Sequence, residues 1–372
     1  MDLSLPPELV ALATEATEVA RRAAAEVDVL EDAWIAGYST AFSEELGRRG
    51  WLGMTWPVAE GGHGRTPLER FVVTEALLSE GAPVAASWFA DRQIGPCLLA
   101  FGTPEQRRRF LPDMVAGRAG WCIGMSEPDH GSDLAHLTTR ARRDGDVFVV
   151  TGRKVWTSFA TTAGWCYLIC RTDPDAPAHR GLSELVVDMA SPGIEVRPIA
   201  DMAGGAHFCE VTFDGVRVPA DHLVGELHGS WRQTMRMLEH ERGGPDRLLS
   251  NRALYCDVLP LADLDDPVVR QEVAALETGY RVGRLLVLQG VLGPAAPGWT
   301  AATKAWCTRF EQRVARFCVA ATGPAGLLTG ADAPLAGRIA RNACYAPAYG
   351  LMGGTDEILR TIIGERTLGL PR

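Results

Sequence analysis

The feature that most constrains the fold of this chain is a change of hydrophobic period in its middle third. From Leu9 to about Met114 apolar residues recur at helical spacing, with breaks at Trp56-Pro57 and at Glu60-Gly61-Gly62-His63-Gly64. Thr103-Pro104-Glu105 reads as a helix start, because threonine can cap a first turn and proline fits inside it. From Gly120 to about Gly225 the pattern shifts to short β-rich runs. Val147-Phe148-Val149-Val150, Trp165 to Cys170, Glu184 to Asp188 and Glu210 to Phe213 are the clearest, parted by Asp-Gly, Pro and Gly turns. From Ser230 helical spacing returns, first over Trp231 to Arg242, then within Leu248–Leu292 and Ala301–Cys318, and in a last helix from about Thr355. A segment of one period does not settle into the other structure. The expected fold is therefore α+β and multidomain: an N-terminal all-α domain over 1–118, a central small antiparallel β-barrel, or a sandwich of the same strands, over 119–226, and a C-terminal four-helix bundle over 227–372. A length of 372 residues suits two or three domains.

Composition removes several classes of function. The net charge of −9 argues against a nucleic-acid partner. No apolar run approaches the roughly 20 residues that span a bilayer, and Met1 to Pro7 lacks a basic segment followed by an apolar one, so a cytoplasmic protein without a membrane partner is expected. Nine cysteines, Cys97, Cys166, Cys170, Cys209 and Cys256 among them, lack CxxC spacing and read as small buried hydrophobes rather than as disulfides or metal ligands. Gly204-Gly205-Ala206-His207 reads as a loop with an ordinary histidine, and no metal site is expected. There is no GxGxxG after a strand and no GxxxxGK[ST], so neither a Rossmann site nor a P-loop is supported.

Two mid-chain segments carry chemistry. Ser126-Glu127-Pro128-Asp129-His130-Gly131-Ser132-Asp133 is a turn whose N–H groups and hydroxyls suit the polar edge of an isoalloxazine and a phosphate. In Lys154-Val155-Trp156-Thr157-Ser158 an aromatic precedes a hydroxyl by two residues, a spacing that can cover the ring's flank and bond its N5 edge. Taken singly, the first is an ordinary polar surface turn and Trp156 an ordinary core aromatic of a strand. Taken together, in this order, they read as a flavin site.

The two blocks, with the order of helical and β regions, resemble the acyl-CoA dehydrogenase family over nearly the whole chain. The resemblance implies FAD, held by Ile123, Met125, Ser126, Gly131, Ser132, Trp156, Ser158, Thr355 and Glu357, with Ser132 and Arg242 also at the substrate. It implies that a carboxylate takes the α proton of an acyl-CoA thioester while the β hydrogen leaves as hydride to the flavin, giving a trans-2-enoyl-CoA. A desolvated carboxylate suits that task, because burial raises its pKa towards neutrality. In many members the base is the glutamate of a Tyr-Glu-Gly-Thr motif. Met352-Gly353-Gly354-Thr355 stands there in this chain, and Gly353 cannot act as a base. A minority of the family places glutamate immediately before arginine on an earlier helix, and this chain has Glu241-Arg242. The resemblance therefore assigns the base to Glu241, against the plain alternative that Glu239 to Arg242 is a solvated helix end. Gly243-Gly244-Pro245 should end or kink that helix.

Departures from the family bear on assembly. Homo-oligomeric members carry Arg-Lys-x-Phe-Gly and Gln-x-x-Gly-Gly stretches that reach the neighbour's FAD. Here Cys256 to Pro267 and Val319 to Gly326 stand in their places, without the arginine or glutamine. That pattern, with Ala90-Asp91-Arg92-Gln93-Ile94-Gly95-Pro96 and Glu241-Arg242-Gly243-Gly244, resembles the actinobacterial acyl-CoA dehydrogenases of steroid side-chain degradation. Those are α2β2 heterotetramers whose two subunit types share one FAD site. The resemblance implies a bulky or branched acyl-CoA, a homologous second subunit, and electron-transfer flavoprotein as acceptor. A flavin monooxygenase or oxidase on the same fold and a non-catalytic structural subunit are the alternatives.

Overall fold

The computed structural model describes residues 5–27, 31–293 and 295–371; the side chains of His240 and Glu241 also lie outside the described part. Helices α1 (Pro7–Ala25), α2 (Thr40–Arg48), α3 (Pro67–Ser79), α4 (Ala85–Phe89), α5 (Gly95–Phe101) and α6 (Pro104–Val115) come first. Strands follow: β1 (Trp121–Gly124), β2 (Arg140–Asp144), β3 (Val147–Lys154), β4 (Trp165–Arg171), β5 (Leu182–Asp188), β6 (Ile194–Ile199), β7 (Phe208–Pro219) and β8 (Leu223–Val224). Then come α7 (Trp231–Arg242), α8 (Asp246–Leu249), α9 (Arg252–Val258), α10 (Pro267–Leu292), α11 (Trp299–Thr322), α12 (Arg338–Tyr345) and α13 (Asp356–Ile362). The helical, β, helical order is the one the periodicity predicts.

Local chemistry sets the boundaries that matter. At α6, Thr103 Oγ1 accepts from Gln106 N at 3.2 Å and Gln106 Oε1 accepts from Thr103 N at 3.0 Å, so two otherwise unbonded N–H groups are satisfied reciprocally. Helix α7 stops at Arg242 and α8 starts at Asp246, with Gly243-Gly244-Pro245 between them, as the helix-breaking residues require.

The strands form one sheet in the order β6-β7-β3-β2-β4-β5-β8, with β1 beside β4. Most neighbours are antiparallel. Strand β4 makes the parallel pairings: β1 runs parallel to it with Ile123 opposite Tyr167, and β2 meets it in parallel at Arg140 and Arg171. The chain between Gly124 and Trp165 holds a loop and the β2–β3 hairpin, which is long enough for the crossover that a parallel pair needs. One face of the sheet buries Phe148, Val150, Leu168, Val187, Val211 and Phe213. The other packs Tyr167, Ile169, Leu182 and Val186 against Phe110, Leu111 and Met114 of α6 and Met237 of α7. Strands β4 and β5 are thus covered on both faces, which explains apolar runs without alternation.

The chain divides into two compact units. One comprises Met1–Tyr38, Arg65–Ala85 and Glu241–Arg372; the other comprises Ser39–Gly64 and Ala86–His240 and holds the sheet. In the first, Leu9 of α1, Phe71 and Val72 of α3 and Val287 of α10 share a cluster. Helices α10 and α11 approach closely at Gly279, where a Cβ would lie 2.1 Å from the Phe310 ring.

The cysteines are all free. Cys97, Cys122, Cys166, Cys170, Cys209, Cys307 and Cys318 are buried as read from the sequence, but Cys256 is exposed, as is Cys344. Cys256 lies on the outward side of α9, whose buried residues are Leu254, Tyr255 and Val258. No helix among the described residues is long and apolar enough to cross a membrane.

Candidate functional site

The two flavin-like motifs meet. Val155 N donates to Ser126 O at 2.9 Å, which joins the end of β3 to the loop that leaves β1. Beneath this junction lies a buried ion pair absent from the sequence-derived set. Lys154 Nζ donates to Glu127 Oε1 at 3.0 Å and to Met125 O at 2.9 Å, and both side chains are buried, at 0% and 3% exposure. Glu127 also accepts from Thr139 N at 2.8 Å and from Thr138 N and Oγ1, each at 2.7 Å. Burial acts to raise the Glu127 carboxyl, but the Lys154 ammonium and the threonine donors outweigh it and hold the group at about 2. A charged residue inside each motif is the only sequence signal of this pair. Nothing in the spacing matches Glu127 to Lys154.

Trp156 is not a core strand residue. Its indole is 57% exposed, its φ is +61°, and its ring lies T-shaped to Phe208 with the centroids 5.7 Å apart. A left-handed backbone at a bulky residue costs on the order of 1–3 kcal/mol and persists only where its surroundings impose it. Here they do. Thr157 exchanges backbone hydrogen bonds with Cys209 at 3.0 and 3.1 Å, and Phe159 N donates to His207 O at 2.8 Å. The segment is strapped to the Ser126 loop on one side and to the start of β7 on the other. Ser158 is buried, and the buried Thr157 Oγ1 has no hydrogen-bond partner among the described residues.

Ile123, Met125 and Ser126 are half-buried, the first two against the core cluster beneath. Gly131 and Ser132 are exposed, and a Cβ at Gly131 would meet nothing within 4 Å, so nothing in the chain itself demands glycine there. A planar ring with a polar edge fits this set: half-buried apolar and hydroxyl residues, an open glycine, an exposed strained indole and an orphaned buried hydroxyl.

The remaining sequence-predicted residues belong to the other unit. Position 241 is in the last turn of α7, and the Glu241 side chain lies outside the described residues. Arg242 is 8% exposed, and its Nε donates to Gly353 O at 2.9 Å. Lys304, fully buried, donates to Gly354 O at 2.9 Å. The two cations thus grip consecutive carbonyls of a turn in which Gly353 has φ +67° and Gly354 φ +101°. A Cβ on Gly354 would stand 3.1 Å from Arg242 Nη2, so glycine is what admits the guanidinium. Lys304 gave no signal in the sequence, being one lysine within an amphipathic helix. Thr355 caps α13 by accepting from Ile358 N at 3.3 Å. Glu357 is exposed in the first turn, where backbone N–H and the Thr355 hydroxyl hold its carboxyl below the usual range.

Comparison with known proteins follows the same three-part division. Residues 7–118 match the family model of the acyl-CoA dehydrogenase N-terminal domain, 122–216 that of the middle domain and 258–368 that of the C-terminal domain. The acyl-CoA dehydrogenase IpdE1 of Mycobacterium tuberculosis is 36% identical over 342 residues, covering 89% of this chain and 88% of that protein. Among solved structures, the Tcur3481-Tcur3483 steroid ACAD superposes with a TM-score of 0.89 at 31% identity, all of both chains being covered. The ChsE4-ChsE5 complex of Mycobacterium tuberculosis gives 0.87 at 31%, again over all of both chains.

Proposed function

We propose, for a chain that belongs to the acyl-CoA dehydrogenase family, that it is the base-carrying subunit of an FAD-dependent enzyme that converts an acyl-CoA thioester to a trans-2-enoyl-CoA. The observation that most supports a flavin is the Val155–Ser126 junction, which brings both motifs to one place beside the exposed, strained Trp156. In this reading Ile123, Met125, Ser126, Gly131, Ser132, Trp156 and Ser158 hold the ring, and Thr355 and Glu357 serve its remaining contacts. FAD, when bound, would supply the acceptor for the β hydrogen of the substrate, taken as hydride.

Glu241 takes the α proton. Gly353 leaves the more common base position without a carboxylate, and Arg242 is committed to Gly353 O, which anchors the end of α7 next to the base. Ser132, exposed on its loop, is free to reach the thioester side. The acyl group is bulky or branched, in keeping with the steroid enzyme among the similar structures, and electron-transfer flavoprotein would be the electron acceptor. A homologous second subunit supplies the arginine and glutamine that Cys256 to Pro267 and Val319 to Gly326 lack. Two of the similar structures carry paired names, ChsE4-ChsE5 and Tcur3481-Tcur3483.

Anaerobic rapid mixing of the flavin-loaded protein with acyl-CoAs tests the reading. Bleaching of the flavin band that Glu241→Gln abolishes at unchanged flavin content is expected, since loss of a general base costs at least roughly a hundredfold. Product formed only with oxygen would make the protein a monooxygenase, and absence of flavin would make it a scaffold.

A further inference from the structure

Glu184 is a buried carboxylate without a cation. It lies in β5 with none of its surface exposed, between Leu182 and the apolar run Leu185-Val186-Val187. Its Oε1 accepts from Thr234 Oγ1 at 2.6 Å, and its Oε2 from Tyr167 Oη at 2.7 Å and Gln233 Nε2 at 2.8 Å. All three donors are neutral, and no cation acts on it among the described residues. Burial pushes the carboxyl up, and the three donors pull it back. A polar group buried in this way costs free energy that an apolar residue at the same strand position would avoid.

What the carboxylate gains is a junction between three elements. Tyr167 is on β4, directly opposite Ile123 in the parallel β1–β4 ladder, so one oxygen of Glu184 is tied to the strand pair that leads into the flavin loop. Gln233 and Thr234 are in the first turn of α7, where unbonded N–H groups and the helix dipole favour a negative charge. Gln233 has a single seat: its Nε2 also donates to Val224 O at 3.1 Å, and a Cβ on Gly225 would fall 1.9 Å from its Oε1. Thr234 is fully buried, and Met237, one turn on, is buried in the sheet's core cluster. Helix α7 then runs without a break to Arg242, and position 241 is two turns beyond Thr234, about 10 Å along the axis.

We propose that Glu184 is a positioning residue for the dehydrogenation: by accepting from Tyr167 and Gln233 at Oε2 and from Thr234 at Oε1, it fixes the first turn of α7, the helix that carries position 241, to the strands that lead into the flavin loop. This rests on the reading of Glu241 as the base. The residue touches neither substrate nor flavin; it acts through the helix.

The test is Glu184→Gln in the flavin-loaded complex, which keeps the shape but turns an amide donor towards groups that already donate. Flavin per chain should stay within about twofold of wild type, while the rate of anaerobic flavin reduction at saturating acyl-CoA falls at least roughly tenfold, since misplacement by about 1 Å can cost far more. The isotope effect with α-deuterated acyl-CoA should rise, because proton removal becomes slower relative to other steps. Thr234→Val, which alters only the helix side, should shift rate and isotope effect in the same direction by less, and it serves where Glu184→Gln does not fold. A wild-type rate and isotope effect in both variants would overturn the proposal. So would a loss of flavin content with an unchanged rate per bound flavin, which is the signature of a purely structural residue. Glu241→Gln is measured beside them. If it bleaches at the wild-type rate, the base assignment falls and this inference with it; if it is inactive while both clamp variants are normal, only this inference falls.

Discussion

Lys154 Nζ and Glu127 Oε1 are 3.0 Å apart in a part of the protein where neither side chain reaches solvent. The lysine ends β3 and the glutamate follows β1, so this one contact holds the two flavin-motif segments in register with each other. Because Lys154 also reaches Met125 O and Glu127 reaches both Thr138 and Thr139, the pair fixes the backbone on either side of Ser126. Removing one member strands the other.

Lys154→Met should therefore destabilise the protein by about 3–5 kcal/mol, the usual consequence of leaving one buried charge without its partner. Flavin content should fall with it. Urea denaturation and flavin absorbance per chain check both; a loss below about 1 kcal/mol would show that the threonine donors alone support Glu127.

Trp156→Gly separates strain from ligand binding. Glycine adopts φ +61° freely, so the flavin-free protein should be as stable as wild type or up to about 1 kcal/mol more stable. Loss of the large indole should nevertheless lower flavin occupancy. Thermal melts of the flavin-free form and flavin titration give the two readings, and unchanged affinity would remove Trp156 from the flavin site.

The helical unit contains a second kind of buried acid. Glu311 accepts from Ser250 N at 2.9 Å, with Asp32, Asp246 and Arg247 near it, and burial pushes its carboxyl up to about 8. The folded state therefore binds a proton that the unfolded chain releases near pH 4.3, and this group's contribution to stability falls as pH rises from about 4.3 to about 8, levelling above that. Glu311→Gln, which can still accept from Ser250, should flatten this decline by up to a few kcal/mol. Urea midpoints at pH 5.5 and 8.5 measure it; equal slopes in variant and wild type would place the titrating proton elsewhere.

Assembly can be read directly. Expressed alone, the chain should be flavin-poor or weakly active, because two phosphates of FAD would lack their strongest charge-assisted partners. Co-expression with a homologous chain that carries the Arg-rich and Gln-x-x-Gly-Gly stretches should restore about one FAD per heterodimer. Native mass and flavin absorbance check this; a fully active homo-oligomer with one FAD per chain would refute it.

Features set by neighbouring residues could be read in advance. The α6 start at Thr103, the end of α7 before Gly243 and the strand runs from Val147 and Trp165 follow from spacing and turn chemistry within a few residues. What escaped depends on distant partners. Glu184 opens an apolar run and looks like a polar strand end until β4 and α7 close over it. Lys154 and Glu127 are separated by a hairpin, and Lys304 meets Gly354 across 50 positions. Taken singly, Trp156 reads as a strand aromatic, and nothing local announces that Thr157 and Cys209 will force its backbone into the left-handed region. Cys256 was misjudged for a similar reason: apolar neighbours in sequence do not fix the side of a helix that faces water.

The discontinuous make-up of the helical unit has a consequence for the growing polypeptide. Leu9, Phe71 and Val72 leave the ribosome early, whereas Val287, which completes their cluster, is made more than two hundred residues after Val72. At ordinary translation speeds, about 5–20 residues per second, that interval is on the order of ten seconds or longer. The sheet-bearing unit, which ends at His240, can close during this wait. Helices α1 and α3 can pair with each other meanwhile, but the apolar face that Val287, Leu288 and Val291 cover in the finished fold stays open until α10 is made, so a ribosome stalled between β1 and α10 displays a sticky surface.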